Sequence, residues 1–404
     1  MPLMSLWQTN PDAVRQLAIG QVVATAGDGR LRDGSECQKE LRDYLRSASV
    51  STLAGYVDRC LMEPFDKSGH VLQDIVNEFG RRLDYTVSNG AYQGAVNAIG
   101  YDGIWIDPSG HALVVEVKTT DAYRLSLDTV MKYLTRLQSE GTIGEERSVL
   151  IVVGRTDTGE LEAQVRGSQH AWDVRLISID ALVQLVRTKE SADEDATVAK
   201  IRRLLTPLEY TRLDALVDVV FAAAKDIEQA VEAEVVSDTA GVEGTANDGT
   251  SWEFTPRGII EAKRESIIGA MALVKGSAFV QRSRAKFSDP DDHDRLVCSV
   301  SKRYDQGAVR YWFAYHPAWH DFLSAGSRGW FVLGGIDLDT AFAIPVDVMS
   351  QHLGDFHHTV KPDGGRYFHI KILHAGGGLF RLQVPRAKND LDLTPYSLQL
   401  PMST

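Results

Sequence analysis

Residues 112–118 alternate in character along the chain. Leu113, Val115 and Val117 fall on one side and Val114, Glu116 and Lys118 on the other, the period-two pattern of a strand. Upstream, 71–80 is an amphipathic stretch. Downstream, Val130, Tyr133, Leu134 and Leu137 form a stripe at helical spacing and predict a helix from about Leu127 to Glu140. The continuous apolar runs Ser148–Val153 and Val174–Ile179 read as buried strands, and Asp180–Val186 as a helix. Helix, hairpin, helix, strand, strand, helix is an α/β layout with a central mixed sheet flanked by helices.

The flanks carry their own periods. Leu41, Tyr44, Leu45, Leu53, Tyr56, Val57, Cys60 and Leu61 predict one or two amphipathic helices between Glu36 and Leu61, bracing the sheet. Thr188 to Val235 is helical again, and Ser237–Gly249, small, acidic and glycine-bearing, reads as the principal linker. Beyond it, a helix from about Pro256 to Val274 precedes short strand-like runs at 278–287, 295–301, 309–315, 329–333, 341–344, 367–373 and 379–384. The expected organisation is a helical brace (1–70), an α/β core (71–190), a helical segment with acidic linker (191–250) and a C-terminal, β-rich α+β domain (251–404).

One hairpin concentrates the chemistry. Asp107-Pro108-Ser109-Gly110 is a turn in which Gly110 is free to take a left-handed conformation, as a three-residue loop with a bulge requires. Pairing Asp107 with His111 then sets Asp102 opposite Glu116, on the face that Lys118 shares. A two-residue loop would pair Asp102 with Val115 and separate the acids, because a one-residue slip inverts the sheet. Two carboxylates beside a lysine in an apolar strand are costly to bury without compensating charge. A hard divalent cation such as Mg²⁺, which takes one or two protein carboxylates, would supply it. The bland reading is a surface hairpin with a Glu–Lys pair, worth under roughly 1 kcal/mol.

Asp102, then Glu116-Val117-Lys118 on the adjacent strand, then a helix and further buried strands, resembles the PD-(D/E)XK nuclease superfamily over about 71–186. Tyr101 stands where that family often has proline. The resemblance implies a restriction-endonuclease-like core in which Asp102 and Glu116 hold Mg²⁺, with Mn²⁺ able to substitute, the Val117 carbonyl is a further ligand, and Lys118 sits against the attacking water. It also implies an acid on the preceding helix: Glu78, with Asp74 one turn earlier as the competing position; a polar residue there otherwise marks a solvated helix face. Arg155, Arg166 and His170, in polar stretches after the core strands, are candidates for phosphate contacts, since most protein–DNA hydrogen bonds go to the backbone.

The formal net charge of −12 sits awkwardly with DNA binding. Its distribution softens the objection. From Asp226 to Pro256 the chain has many acids and no Lys or Arg, whereas 257–310 is rich in both. Aromatic residues from Tyr311 to Phe331 are either core or a base-reading pocket. The histidines of that half, including His357 and His358, match no zinc spacing. Three unpatterned cysteines and the absence of a long apolar run point to a reducing, cytoplasmic setting without a membrane span. These features together predict a Mg²⁺-dependent DNA endonuclease of restriction or phage defence, acting as a homodimer. The alternatives are a repair or structure-specific nuclease, and a DNA-binding protein with a dormant core.

Overall fold

A computed structural model describes residues 3–93, 100–119, 127–154, 159–192, 195–206, 257–304, 309–360, 365–374 and 378–401. They belong to two compact units that divide between Asp226 and Ile227. Arg155, the acidic block from Asp226 to Pro256 and the expected linker at 237–249 lie outside the described residues.

The first unit opens with α1 (Leu3–Thr9), α2 (Pro11–Arg15) and α3 (Ile19–Thr25), then α4 (Glu36–Ser47) and α5 (Val50–Met62). The stretch from Glu36 to Leu61 is two helices because Ser49 breaks it: its hydroxyl accepts the Thr52 N–H at 3.1 Å and caps α5. Next come α6 (Ser68–Arg82), β1 (Thr86–Asn89), β2 (Gly103–Ile106), β3 (Ala112–Lys118), α7 (Leu127–Ser139), β4 (Arg147–Val153), α8 (Gly159–Arg166), β5 (Val174–Ser178), α9 (Ile179–Ser191) and α10 (Asp195–Arg203). The strands lie in the order β1-β2-β3-β4-β5. β1, β2 and β3 pair antiparallel, β3, β4 and β5 parallel, so the sheet is mixed.

Alternation along the strands explains the two layers. Leu113, Val115, Leu150 and Val152 enter one core with the apolar residues of α4, α5, α6 and α9. Val114, Val149, Ile151 and Val153 enter another with Val130, Leu134 and Leu137 of α7 and Leu161 and Val165 of α8. β4, covered on both faces, is therefore an unbroken apolar run rather than an alternating one.

Two expectations are corrected. α6 has no solvated face: every residue except Gly69, His70 and Arg81 is buried, because α4, α5, α9 and the sheet enclose it. The helix expected from Thr188 onward stops at Ser191, where Ala192 turns extended, and α10 restarts three residues later; the rest of that stretch lies outside the described residues.

The second unit is a mixed α/β assembly. It contains α11 (Arg257–Lys275), β6 (Val280–Gln281), β7 (Lys286–Ser288), β8 (Asp294–Ser301), β9 (Val309–Tyr315), α12 (Pro317–Ser324), β10 (Arg328–Gly335), β11 (Thr340–Pro345), α13 (Val346–His352), β12 (His358–Val360), β13 (Arg366–His374), β14 (Phe380–Leu382), β15 (Leu391–Asp392) and β16 (Ser397–Gln399). One sheet has the order β16-β11-β10-β8-β7-β6. In the other, β12, β13, β14 and β15 follow one another and β9 also pairs with β13. The run at 278–287 folds back on itself as β6 and β7, and α12 and α13 are too short to have shown a helical period. Tyr311, Trp312, Phe313, Tyr315, Trp319, Trp330 and Phe331 are all buried, so they build core rather than an open pocket. Cys37, Cys60 and Cys298 are buried and unpaired, and burial pushes the Cys60 and Cys298 thiols up to about 12.

Candidate active site

The turn determines the register. Gly110 takes φ 96°, its N–H donates to the Asp107 carbonyl at 2.9 Å, and Asp107 pairs with His111 through a 3.0 Å backbone bond. The Asp107 carboxylate accepts from Ser109 N, Ser109 Oγ and His111 N at 2.8, 2.6 and 3.1 Å, fixing the loop from inside. Counting outward, Ile106 faces Ala112 and Gly103 faces Val115, which sets Asp102 across from Glu116 as the three-residue loop predicts.

Asp102, Glu116 and Lys118 accordingly lie on the α7 side of the sheet. Glu116 is buried, at 7 % exposure, and Lys118 Nζ donates to its Oε2 at 2.9 Å. β2 begins at Gly103 and leaves no ladder partner opposite Val117. The Asp102 carboxylate takes that vacant position, accepting the Val117 N–H at 2.6 Å. The Val117 carbonyl lies on the same edge of β3. Burial, reinforced by the charge of Glu116, pushes the Asp102 carboxyl up to about 6, against the opposing pull of the Val117 N–H and of Lys118.

The Asp102 backbone is held as firmly as its side chain. Its carbonyl accepts from Asn77 Nδ2 at 2.8 Å, Gln73 Nε2 at 3.1 Å and the Gly90 N–H at 2.9 Å. Asn77 is itself oriented by Trp105, whose indole N–H donates to Asn77 Oδ1 at 2.9 Å. Two glycines allow the approach. A Cβ on Gly103 would stand 2.0 Å from Asn77 Oδ1, and one on Gly80 would stand 2.5 Å from the Trp105 ring. Sequence reasoning missed Gln73 and Asn77. The signal was there: two amides one helical turn apart, in the helix that must cover a hairpin carrying Gly103 and a tryptophan.

Glu78 and Asp74 do different work. Glu78 is buried and accepts from Arg82 Nε at 3.0 Å and Arg81 Nη1 at 3.3 Å; Arg82 in turn donates to the Ala48 and Arg46 carbonyls, joining α6 to the end of α4. Asp74 accepts from Arg42 Nε at 2.9 Å and from the Tyr92 hydroxyl. Burial holds the Asp74 carboxyl above its usual range, against the pull of Arg42. None of the contacts of either acid among the described residues is with Asp102, Glu116 or Lys118. The same is true of Arg166, exposed and paired with Glu162 at 2.7 Å, and of His170, whose Nε2 is 3.5 Å from Asp128 Oδ1.

Among the described residues no group of three or more His, Cys, Asp or Glu side chains converges as a metal cage. The donor set here is two carboxylates and a strand carbonyl. That is too few for a structural zinc or an all-protein calcium site and suits a cation that keeps most of its own waters. A comparison with models of known protein families and one with curated proteins each found no match to this chain. No helix among the described residues is long and apolar enough to cross a membrane.

Proposed function

We propose that the first unit is a PD-(D/E)XK-type nuclease core and that the chain is a Mg²⁺-dependent endonuclease hydrolysing DNA phosphodiester bonds, in restriction or phage defence. The observation that carries this reading is the hairpin register: Asp102 across from Glu116, with Lys118 on the same face, at the edge where the mixed sheet runs out of ladder. The order of α6, the three antiparallel strands, α7 and the parallel β4 supports it.

Asp102, Glu116 and the Val117 carbonyl are the groups that would hold the ion. When bound, Mg²⁺ supplies positive charge against the phosphodiester oxygens and acidifies water, the two largest demands of phosphate-ester hydrolysis. Lys118 holds its ammonium beside Glu116 and stabilises the negative charge that builds as the nucleophile attacks. Asn77 and Gln73 fix the Asp102 backbone, so the carboxylate needs no rearrangement to act. Because one such centre attacks one strand, double-strand cutting is assigned to a homodimer.

Plasmid or phage DNA incubated with the full chain and Mg²⁺ tests the reading. Cleavage should appear with Mg²⁺ or Mn²⁺, vanish with chelator, and fall at least 10²–10³-fold in Asp102→Ala and Lys118→Ala at unchanged folding. Undiminished cleavage by either variant removes the mechanism. A second reading, a DNA-binding protein with a dormant core, is favoured by two observations: Lys118 is paired with Glu116 at 2.9 Å, and Glu78 with Arg82 at 3.0 Å. Duplex binding without scission at any divalent cation would select it.

A further inference from the structure

The second unit carries a cationic recess that the nuclease reading does not use. β12 and β13 pair with His358 opposite Phe368 and Val360 opposite Arg366. Alternation along β13 puts Arg366 on the face of Phe368, Ile370 and Ile372, which are core residues. At the end of that core Arg366 and Phe368 border a cavity of about 280 Å³, lined also by Leu353, Phe356, His358 and Arg386. The Arg366 guanidinium lies 5.7 Å from the centre of the Phe368 ring, and Arg386 is held in place by donating to the Gly354 carbonyl at 3.3 Å. Among the described residues no carboxylate lines this cavity and none is paired with Arg366 or Arg386.

We infer that this recess is a binding site for a phosphate monoester with a compact organic body, of the size of a mononucleotide. Two guanidiniums and an imidazole lining one recess with Leu353, Phe356 and Phe368 match a group that carries about −1.5 to −2 charges at neutral pH and accepts forked donation. A carboxylate would use one arginine and leave the other uncompensated. The volume falls just below the usual range of ligand pockets and is roomier than a bare phosphate needs. Both arginines are exposed and cap no buried charge, so replacing them leaves the fold in place. The chemistry has two sources, a free nucleotide and the 5′-phosphorylated end of a DNA strand.

The test is calorimetric titration of the full chain with inorganic phosphate, dAMP, a 5′-phosphorylated oligonucleotide and the same oligonucleotide lacking the phosphate. The wild type and Asp102→Asn should bind dAMP or the phosphorylated oligonucleotide equally. The double variant Arg366→Gln/Arg386→Gln, melting as the wild type does, should bind at least tenfold more weakly and cleave DNA at the wild-type rate. Binding of dAMP alone identifies a free nucleotide, and binding of the phosphorylated oligonucleotide alone a strand end. Equal affinity in the double variant, equal affinity for the unphosphorylated strand, equal affinity for inorganic phosphate, or no binding overturns the inference. Loss of the nuclease reading would show as absent cleavage with this binding intact.

Discussion

Asp102 is where burial and chemistry conflict most. A carboxyl raised from 3.8 to about 6 in the folded chain gives no stability difference well below 3.8, at about pH 3, where it is protonated folded and unfolded alike. Between pH 4 and 6 the folded state is progressively penalised, and above 6 the penalty is complete, about 1–3 kcal/mol. Asp102→Asn keeps an acceptor for the Val117 N–H and removes the charge. In metal-free protein it should raise the melting temperature by several degrees at pH 8 and leave it unchanged at about pH 3. Mg²⁺ should stabilise the wild type at pH 8 and leave Asp102→Asn nearly unaffected. Thermal melts with chelator and with added Mg²⁺ check both; equal melting of the two proteins at pH 8 without metal would contradict the raised value.

Among the elements, α6 does the most to place the site, and it divides its polar residues between two tasks. Arg82 and Glu78 form a buried ion pair that closes the helix against the α4–α5 corner, and Glu78→Ala removes the nearer of two carboxylates on Arg82, leaving Glu190 at 3.4 Å. We expect a loss of about 1.5–3 kcal/mol in denaturant unfolding, with the cleavage rate per folded molecule retained. Asn77 works the other way. Asn77→Ala removes one of the three donors to the Asp102 carbonyl and the acceptor of the Trp105 indole N–H, and should lower kcat at least tenfold for a stability cost of only about 1–3 kcal/mol. Single-turnover cleavage, corrected for the folded fraction, separates the two. A Glu78 variant that folds and does not cut would return Glu78 to the catalytic set.

At the scale of the whole molecule, two units with separate cores predict separable duties. A chain ending near Asp248 should cut DNA with altered target choice rather than altered chemistry, and sequencing of the product ends measures this; identical sites cut with equal efficiency would remove the recognition role from the second unit. Periodicity alone determined a good deal here. The α7 stripe, the unbroken apolar β4 and the strand-like runs at 309–315 and 367–373 are local patterns, because a strand's period acts over a few residues; the hairpin's residues left a three-residue and a two-residue loop both open, and the observed pairing is that of the three-residue loop. Tertiary structure decided what those patterns leave open. The periodic pattern of α6 shows an apolar stripe without showing that α4, α5, α9 and the sheet surround the helix, so the burial of Glu78 became known only with the packing, although its partners Arg81 and Arg82 stand three and four residues on in the same helix. The same holds for Asn77, whose role depends on a tryptophan 28 residues away in sequence, and for Arg366 and Arg386, which meet across one recess only because β13 and the chain after β14 close the same core.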